Sequence, residues 1–481
     1  MTQSGYESRL FHYFEEISRV PRCSGNRAGI ARWLEDFAVS QGLDYKRDEA
    51  DNVLIFKPGS GGKEKAPPIA LQGHTDMVCE KAPDSDHNFE TDPIELIREG
   101  DILRANKTTL GGDNGIAVAM ILALLEDKEL AHPPLEAVFT SDEETGLIGA
   151  HALAPDAFSA KRLINIDSEA EGILWTGCAG GETIEMTLPI TMTGVEDLQA
   201  AELYVEGLTG GHSGLEIHRK RHNAIKVLTE VLNRLKDEIP IGLDRIQGGT
   251  KHNAIPREAY ARLVFSAEDK DAVMDYTKKI ADELVEVYAQ KGYEDQPLIR
   301  IEEAALPERA FSLESFENVL ACLTLLPSGV YSMSPHIEGL VQTSNNLAVV
   351  SSDDTEVQII TSIRSSAAED TDKLRGKIIS TAEIAGAKVE TSGGYPAWEV
   401  KEESALRDTF ARVFETMYGK KPEITAVHAG LETALFADRD PEMDLVSLGP
   451  DMYEVHTPQE HLSIGSAQRV YDLLRAVLQE L

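Results

Sequence analysis

The chain has 481 residues, and a hydrophobic share of 42% is enough to fill a sizeable core and to supply two or three domains. Its 46 Lys and Arg face 82 Asp and Glu, a formal net charge of −36 that would repel nucleic acid and anionic membrane surfaces, so neither is expected as a partner.

The opening segment, MTQSGYESRLFHYFEEISRV, lacks the basic and apolar regions of a secretory signal, and the longest apolar run, Ile116 to Leu125, falls well short of a membrane span. A cytoplasmic protein is expected. Cys23, Cys79, Cys178 and Cys322 form no CxxC pair, which predicts free thiols in a reducing compartment.

Taken in chain order, PIALQG (68–73) reads as a strand that delivers His74 and, two residues on, Asp76. In extended backbone those two side chains share a face, so Asp76 can fix the His74 tautomer. The acidic stretch from 80 to 101 reads as a solvated loop. TTLGGDNG then sets Asp113 on a glycine-rich turn before the helix GIAVAMILALLED (115–127); taken alone, such an Asp is an ordinary helix cap. LEAVFT (135–140) is a strand followed by the adjacent acids Glu143 and Glu144, and RLINID (162–167) is a strand ending in Asp167. Alternation of this kind predicts an α/β fold with a mainly parallel sheet.

Glycine pairs at Gly180-Gly181 and Gly393-Gly394 are candidate hinges around an inserted piece, 181–395, which contains the helix HNAIKVLTEVLNRLKDEI (222–239). The pattern predicts a discontinuous first domain, 1–180 with 396–481, and an inserted second one. In the last segment DLVSLGP (444–450) is a strand, His456 follows it, and 466–481 form a helix with Val470, Leu473, Leu474 and Val477 on one face.

All of these candidates follow apolar strands, and open α/β sheets place their sites beyond the carboxyl ends of the strands. Two histidines and three carboxylates, with one Glu spare, form a mixed N/O donor set suited to Zn²⁺, with Mn²⁺ or Co²⁺ possible. If one carboxylate is shared, His74, Asp113 and Asp167 hold one ion while Asp113, Glu144 and His456 hold another; this is one of several allocations that the chemistry permits. Two ions about 3.5–4 Å apart would bring a water's pKa towards ~7 and leave Glu143 free to take its proton. Glu454 is a further acid expected near the cations, by its place beside His456.

With these residues in view, the sequence resembles the aminoacyl-histidine dipeptidases, the cytosolic nonspecific or carnosinase-like branch of the di-zinc exopeptidases with an inserted lid. HTDMV, TTLGGDNG, SDEETG, NIDSE, GGHSG, HNAIPR, HAGLE and VHTP occur in order along nearly the whole chain. The resemblance implies two Zn²⁺ per subunit, a catalytic domain with an α+β lid, and the shared-Asp113 allocation above, with Glu143 as general base and Asp76 orienting His74. It further implies that His212, in GGHSG, stabilises the oxyanion, often across a homodimer joined through the lid. Asn253 and Arg364 would hold substrate, the arginine fork suiting a free carboxylate, and Gly430 would lend a backbone contact.

The expected activity is therefore hydrolysis of unblocked dipeptides, Xaa-His and beta-alanyl-histidine among them. An N-acyl amino acid deacylase or a tripeptidase would keep the metals and change the pocket. A retired peptide-binding protein would normally have lost a ligand or the base, and every one is present.

Overall fold

The computed structural model describes residues 8–481. It divides into two compact units. The first runs to Gly177 and takes in Val400–Ala426 and Leu431–Leu481; the second comprises Cys178–Glu399 with the short return Val427–Gly430.

The first unit is built on a sheet ordered Asp44–Arg47, Val53–Lys57, Leu135–Thr140, Ile69–His74, Arg162–Asn165, Asp444–Ser447, Ile173–Cys178, Glu423–Val427. The four strands from Leu135–Thr140 to Asp444–Ser447 run parallel, with His74 opposite Thr140 and Leu445 opposite Leu163. Ile69–His74 and Leu135–Thr140 are buried along their whole length, as central parallel strands covered on both faces must be. Helix Gly112–Glu126 explains part of that cover. Its IAVAMILALL run has no polar stripe, so it is buried on every side, against Ile69–His74 and against helix Arg9–Ser18. The last helix, Ile464–Glu480, buries Val470, Leu473, Leu474 and Val477, the face its spacing predicts.

The second unit is an antiparallel sheet ordered Leu298–Ala304, Leu198–Glu206, Ala259–Ser266, Ile241–Gly248, Val341–Ser352, Glu356–Ser365, Gly180–Pro189, Lys388–Tyr395. Helices Ala224–Glu238, Lys270–Gln290, Leu313–Leu325 and Ala368–Ile384 bury apolar faces in the same core. Asn223 caps the first of them by accepting from the Ile225 and Lys226 N–H groups, which sets the start that HNAI announces.

Three details differ from expectation. The glycine pairs lie inside neighbouring strands, where Gly181 faces Tyr395 across a bulge; a side chain on Gly181 would collide with the Tyr395 ring, so packing explains that glycine. Within the acidic stretch, Leu96–Glu99 is a strand paired antiparallel with Ile102–Ala105. Cys23 and Cys79 are joined in a disulfide, while Cys178 and Cys322 are buried and outside any disulfide. A short parallel bridge between Cys23 and Met77 runs the two segments side by side, the Cα atoms of Cys23 and Cys79 lie 5.7 Å apart, within disulfide reach, and a separation of 56 residues offers no motif from which to read the pairing.

Candidate metal centre

The parallel strands put their carboxyl ends at one edge of the first unit's sheet. Ile69–His74 ends on His74, Glu143 and Glu144 follow Leu135–Thr140, and Asp167 follows Arg162–Asn165. His456 comes after Asp444–Ser447 and a turn. Asp113 arrives from elsewhere, on the first turn of helix Gly112–Glu126, where Asp113 and Asn114 leave helical geometry and their peptide bond is cis.

The side chains converge. His74 Nε2 lies 3.0 Å from Asp113 Oδ1 and 3.6 Å from Asp167 Oδ1. His456 Nε2 lies 3.1 Å from Asp113 Oδ2 and 3.0 Å from Glu144 Oε1. Ligand atoms of His74, Asp113 and Asp167, and of Asp113, Glu144 and His456, fall within 4.8 Å of one another, so the two groups share Asp113. His74, Glu143 and Glu144 form a third, overlapping group. Glu454 is exposed and belongs to none of them, contrary to expectation; its turn directs the carbonyl to the Thr457 hydroxyl instead.

Four carboxylates here face two imidazoles, a surplus of negative charge that suits divalent cations. Burial pushes the Glu143 carboxyl well above the usual range, with Asp167, Glu432 and Glu144 adding repulsion against the pull of His74. Glu144 and Asp167 are also raised by burial, with Asp113 contributing. Hydrogen bonds to Asp113 and Glu144 lift His456 to about 11. A ring nitrogen held between two carboxylates is a place for a cation, and a metal ion would displace the proton there.

A supporting shell fixes these groups. Burial alone would raise Asp76, but His74 and the Ser24 hydroxyl hold its carboxyl down at about 2. Its oxygens also accept from the Glu143 and Glu144 N–H groups at 2.9 and 3.3 Å. Asp76 Oδ1 is 3.3 Å from His74 Nδ1, within ion-pair range but off hydrogen-bond alignment, which leaves that nitrogen without a bonded partner. Asn114 Nδ2 donates to Asp167 Oδ1 at 2.7 Å. Three buried groups, Arg22, Glu432 and Glu460, and one exposed acid, Glu169, carry no signal in the sequence. Arg22 donates to the carbonyls of Thr75, Asp76 and Gly111. Glu432 accepts from Gln72 and Thr140 and is raised to about 7 by burial. Glu169 is likewise raised to about 7 by desolvation and by the charges of Asp113 and Asp167. Glu460 accepts from the turn that carries Asp113. HAGLE and VHTPQE contained Glu432 and Glu460 in plain view, but a lone Glu next to a named residue is no signal by itself.

In the second unit, His212 sits on Gly211–His212, paired with Ala254–Ile255, and the Ser213 N–H donates to the Asn253 carbonyl. His212 Nδ1 accepts from the Gly214 and Leu215 N–H groups at 3.2 and 3.1 Å, so the neutral ring carries its proton on Nε2. Burial and the Arg364 charge keep it below its ordinary pKa. Arg364, 8% exposed on strand Glu356–Ser365, donates from Nη1 to the Tyr395 hydroxyl at 2.7 Å, and its Nε is buried without a partner. A Cβ on Gly430 would come within 2.6 Å of the Tyr395 ring, so Gly181 and Gly430 together make the slot for the tyrosine that holds Arg364. Tyr395 is a further residue the sequence did not single out. His428, bonded to the Ser344 hydroxyl at 2.7 Å, is driven down to about 3 by burial and by Arg364.

The chain is 36% identical over 473 residues to the cytosol non-specific dipeptidase of Escherichia coli (strain K12), covering 98% of this chain and 97% of that one. The crystal structure of the aminoacylhistidine dipeptidase from Vibrio alginolyticus superposes with a TM-score of 0.93 at 36% identity, over 99% of this chain and 97% of that one. The aminopeptidase PepT of Bacillus cereus ATCC 10987, at 17% identity and a TM-score of 0.57 over 98% of both chains, shares the fold. Residues 70–480 match the model of peptidase family M20/M25/M40, a range that includes every strand end described above, and the chain belongs to that family.

Proposed function

We propose that this protein is a metal-dependent dipeptidase acting on unblocked dipeptides, with two Zn²⁺ ions in the centre described above. The observation that carries the reading is the pair of His–carboxylate groups sharing Asp113, with Glu143 beside them. The donor set of imidazoles and carboxylates fits zinc, and Mn²⁺ or Co²⁺ are possible substitutes. Bound there, the ions would supply an acidified water and polarise the scissile carbonyl.

The chain's own groups do the rest. His74, Asp113 and Asp167 are assigned to one ion and Asp113, Glu144 and His456 to the other. Glu143 takes the water's proton and passes it to the leaving amine. Asp76 holds His74 and the backbone of Glu143 in place. His212 offers its Nε2–H to the developing oxyanion. Arg364, steadied by Tyr395, binds the substrate's free carboxylate, with Asn253 and the Gly430 backbone beside it. The second unit is assigned as a lid through which a cytoplasmic homodimer forms.

Near full-length similarity to two dipeptidases supports this substrate class over the N-acyl amino acid and tripeptide readings. The test is metal analysis and hydrolysis on one sample, with free dipeptides beside N-acetyl amino acids and tripeptides. Zinc-loaded protein inert on every dipeptide sinks the proposal. Arg364→Lys keeps the charge but loses the fork; it is expected to lower kcat/KM about 10- to 100-fold, mostly through KM, from the ~1.5–3 kcal/mol of charge-assisted hydrogen bonding. Steady-state kinetics on free and C-terminally amidated dipeptides measures it, the amide being insensitive to the substitution.

A further inference from the structure

We infer that Glu460 is a positioning residue for the metal centre, locking the turn that carries Asp113 to the segment that carries His456. The inference rests on the reading of Asp113 as the shared ligand.

Glu460 is 3% exposed, and its carboxylate is spent on one turn. Oε2 accepts from the N–H groups of Leu110 and Gly111 at 2.8 and 3.1 Å, and Oε1 from those of Gly112 and Asp113 at 2.8 and 3.4 Å. It stands four residues after His456, on a segment pinned by the Glu460 N–H bond to the Thr457 carbonyl. One buried side chain thus ties together two ligand-bearing turns that are more than 340 residues apart in sequence.

Arg22 grips the same turn from another side. Its Nη2 donates to the Gly111 carbonyl at 2.5 Å, while Nη1 reaches the Thr75 and Asp76 carbonyls behind His74. The two glycines of LGGD are explained by this double grip. A Cβ at Gly111 would strike the Arg22 guanidinium and Met77, and one at Gly112 would stand 3.3 Å from Glu460 Oε1. Gly111 also has φ +66°, which favours glycine.

An ordinary cap would support a helix. Here the regular helix starts beyond Asp113 and Asn114, whose backbone is not helical, so the bonds from Glu460 fix the ligand turn itself. Groups that orient ligands from behind typically change metal affinity or activity 10- to 100-fold when removed.

The experiment compares full-length wild type with Glu460→Gln, whose amide turns an N–H₂ towards donors, and with Glu460→Asp, too short to reach all four N–H groups. Zn²⁺ is titrated against a chromophoric chelator, folding of the metal-free proteins is followed by circular dichroism, and dipeptide kinetics are run over a range of free Zn²⁺. The expected result is folded variants that bind Zn²⁺ 10- to 100-fold more weakly, with kcat reduced at low free Zn²⁺ and recovered at high. A residue that served the fold alone would not give rescue by metal. Wild-type Zn²⁺ affinity in either folded variant overturns the inference, and so does failure of both to fold. Wild type that binds Zn²⁺ but cleaves no dipeptide defeats the functional reading alone and leaves the affinity comparison intact.

Discussion

Glu143→Gln is expected to lower dipeptide turnover by about 10²–10⁴, or ~2.7–5.5 kcal/mol of barrier, while two equivalents of metal stay bound. Glu143 is half-buried beside both His–carboxylate groups, its N–H is held by Asp76 at 2.9 Å, and neither group sharing Asp113 includes it. Glutamine has nearly the same shape but cannot accept a proton. The measurement is kcat together with metal content of the same preparation. The alternative is concrete, because His74, Glu143 and Glu144 also come within ligand distance of one another. A variant that loses an ion along with activity places Glu143 among the ligands and removes it as the base.

Asp113→Ala is expected to cost both ions at once and with them all measurable hydrolysis. Its two oxygens face different histidines, Oδ1 towards His74 at 3.0 Å and Oδ2 towards His456 at 3.1 Å, which places this one carboxylate in both groups. Asp167→Ala and His456→Ala each should remove one ion. Stability separates the cases. Ligand binding to the folded state at 100 times its dissociation constant stabilises by about 2.7 kcal/mol per site, so chelation should lower the melting temperature of wild type. Asp113→Ala should melt at the same temperature with or without chelator. Calorimetry with and without chelator, beside elemental analysis, checks this; two tight ions in Asp113→Ala would refute the shared-ligand assignment.

Much of the first unit was legible because its signals are local. LEAVFT is a strand over the residues read as one, and the terminal helix buries the face its spacing marks. His74, Asp113, Glu144, Asp167 and His456 stood next to strand or helix boundaries, and the α/β rule says where such boundaries meet. What stayed hidden is non-local. Arg22 donates to carbonyls up to 89 residues away, and a backbone carbonyl leaves no mark in sequence. Tyr395 matters because Gly181 and Gly430, far apart in the chain, open a slot for its ring. Cys23 and Cys79 pair because two loops behind the centre run side by side. Glu460 carries no sequence signal, since nothing in VHTPQE says that its partners are four N–H groups near residue 111.

The order of strands carries a consequence for how the protein is made. Asp444–Ser447 pairs in parallel with Arg162–Asn165 and also touches Ile173–Cys178, so it occupies an interior place in the sheet. A ribosome delivers that strand after its neighbours and after the whole second unit, which has its own core and is free to fold first. Until then Arg162–Asn165 lacks its partner on that side, an open edge of the sort that recruits other chains. Nascent protein is thus most exposed to misassembly until Asp444–Ser447 emerges, and His456, which follows that strand, reaches His74, Asp113, Glu144 and Asp167 only in the same late event that fills the gap in the sheet.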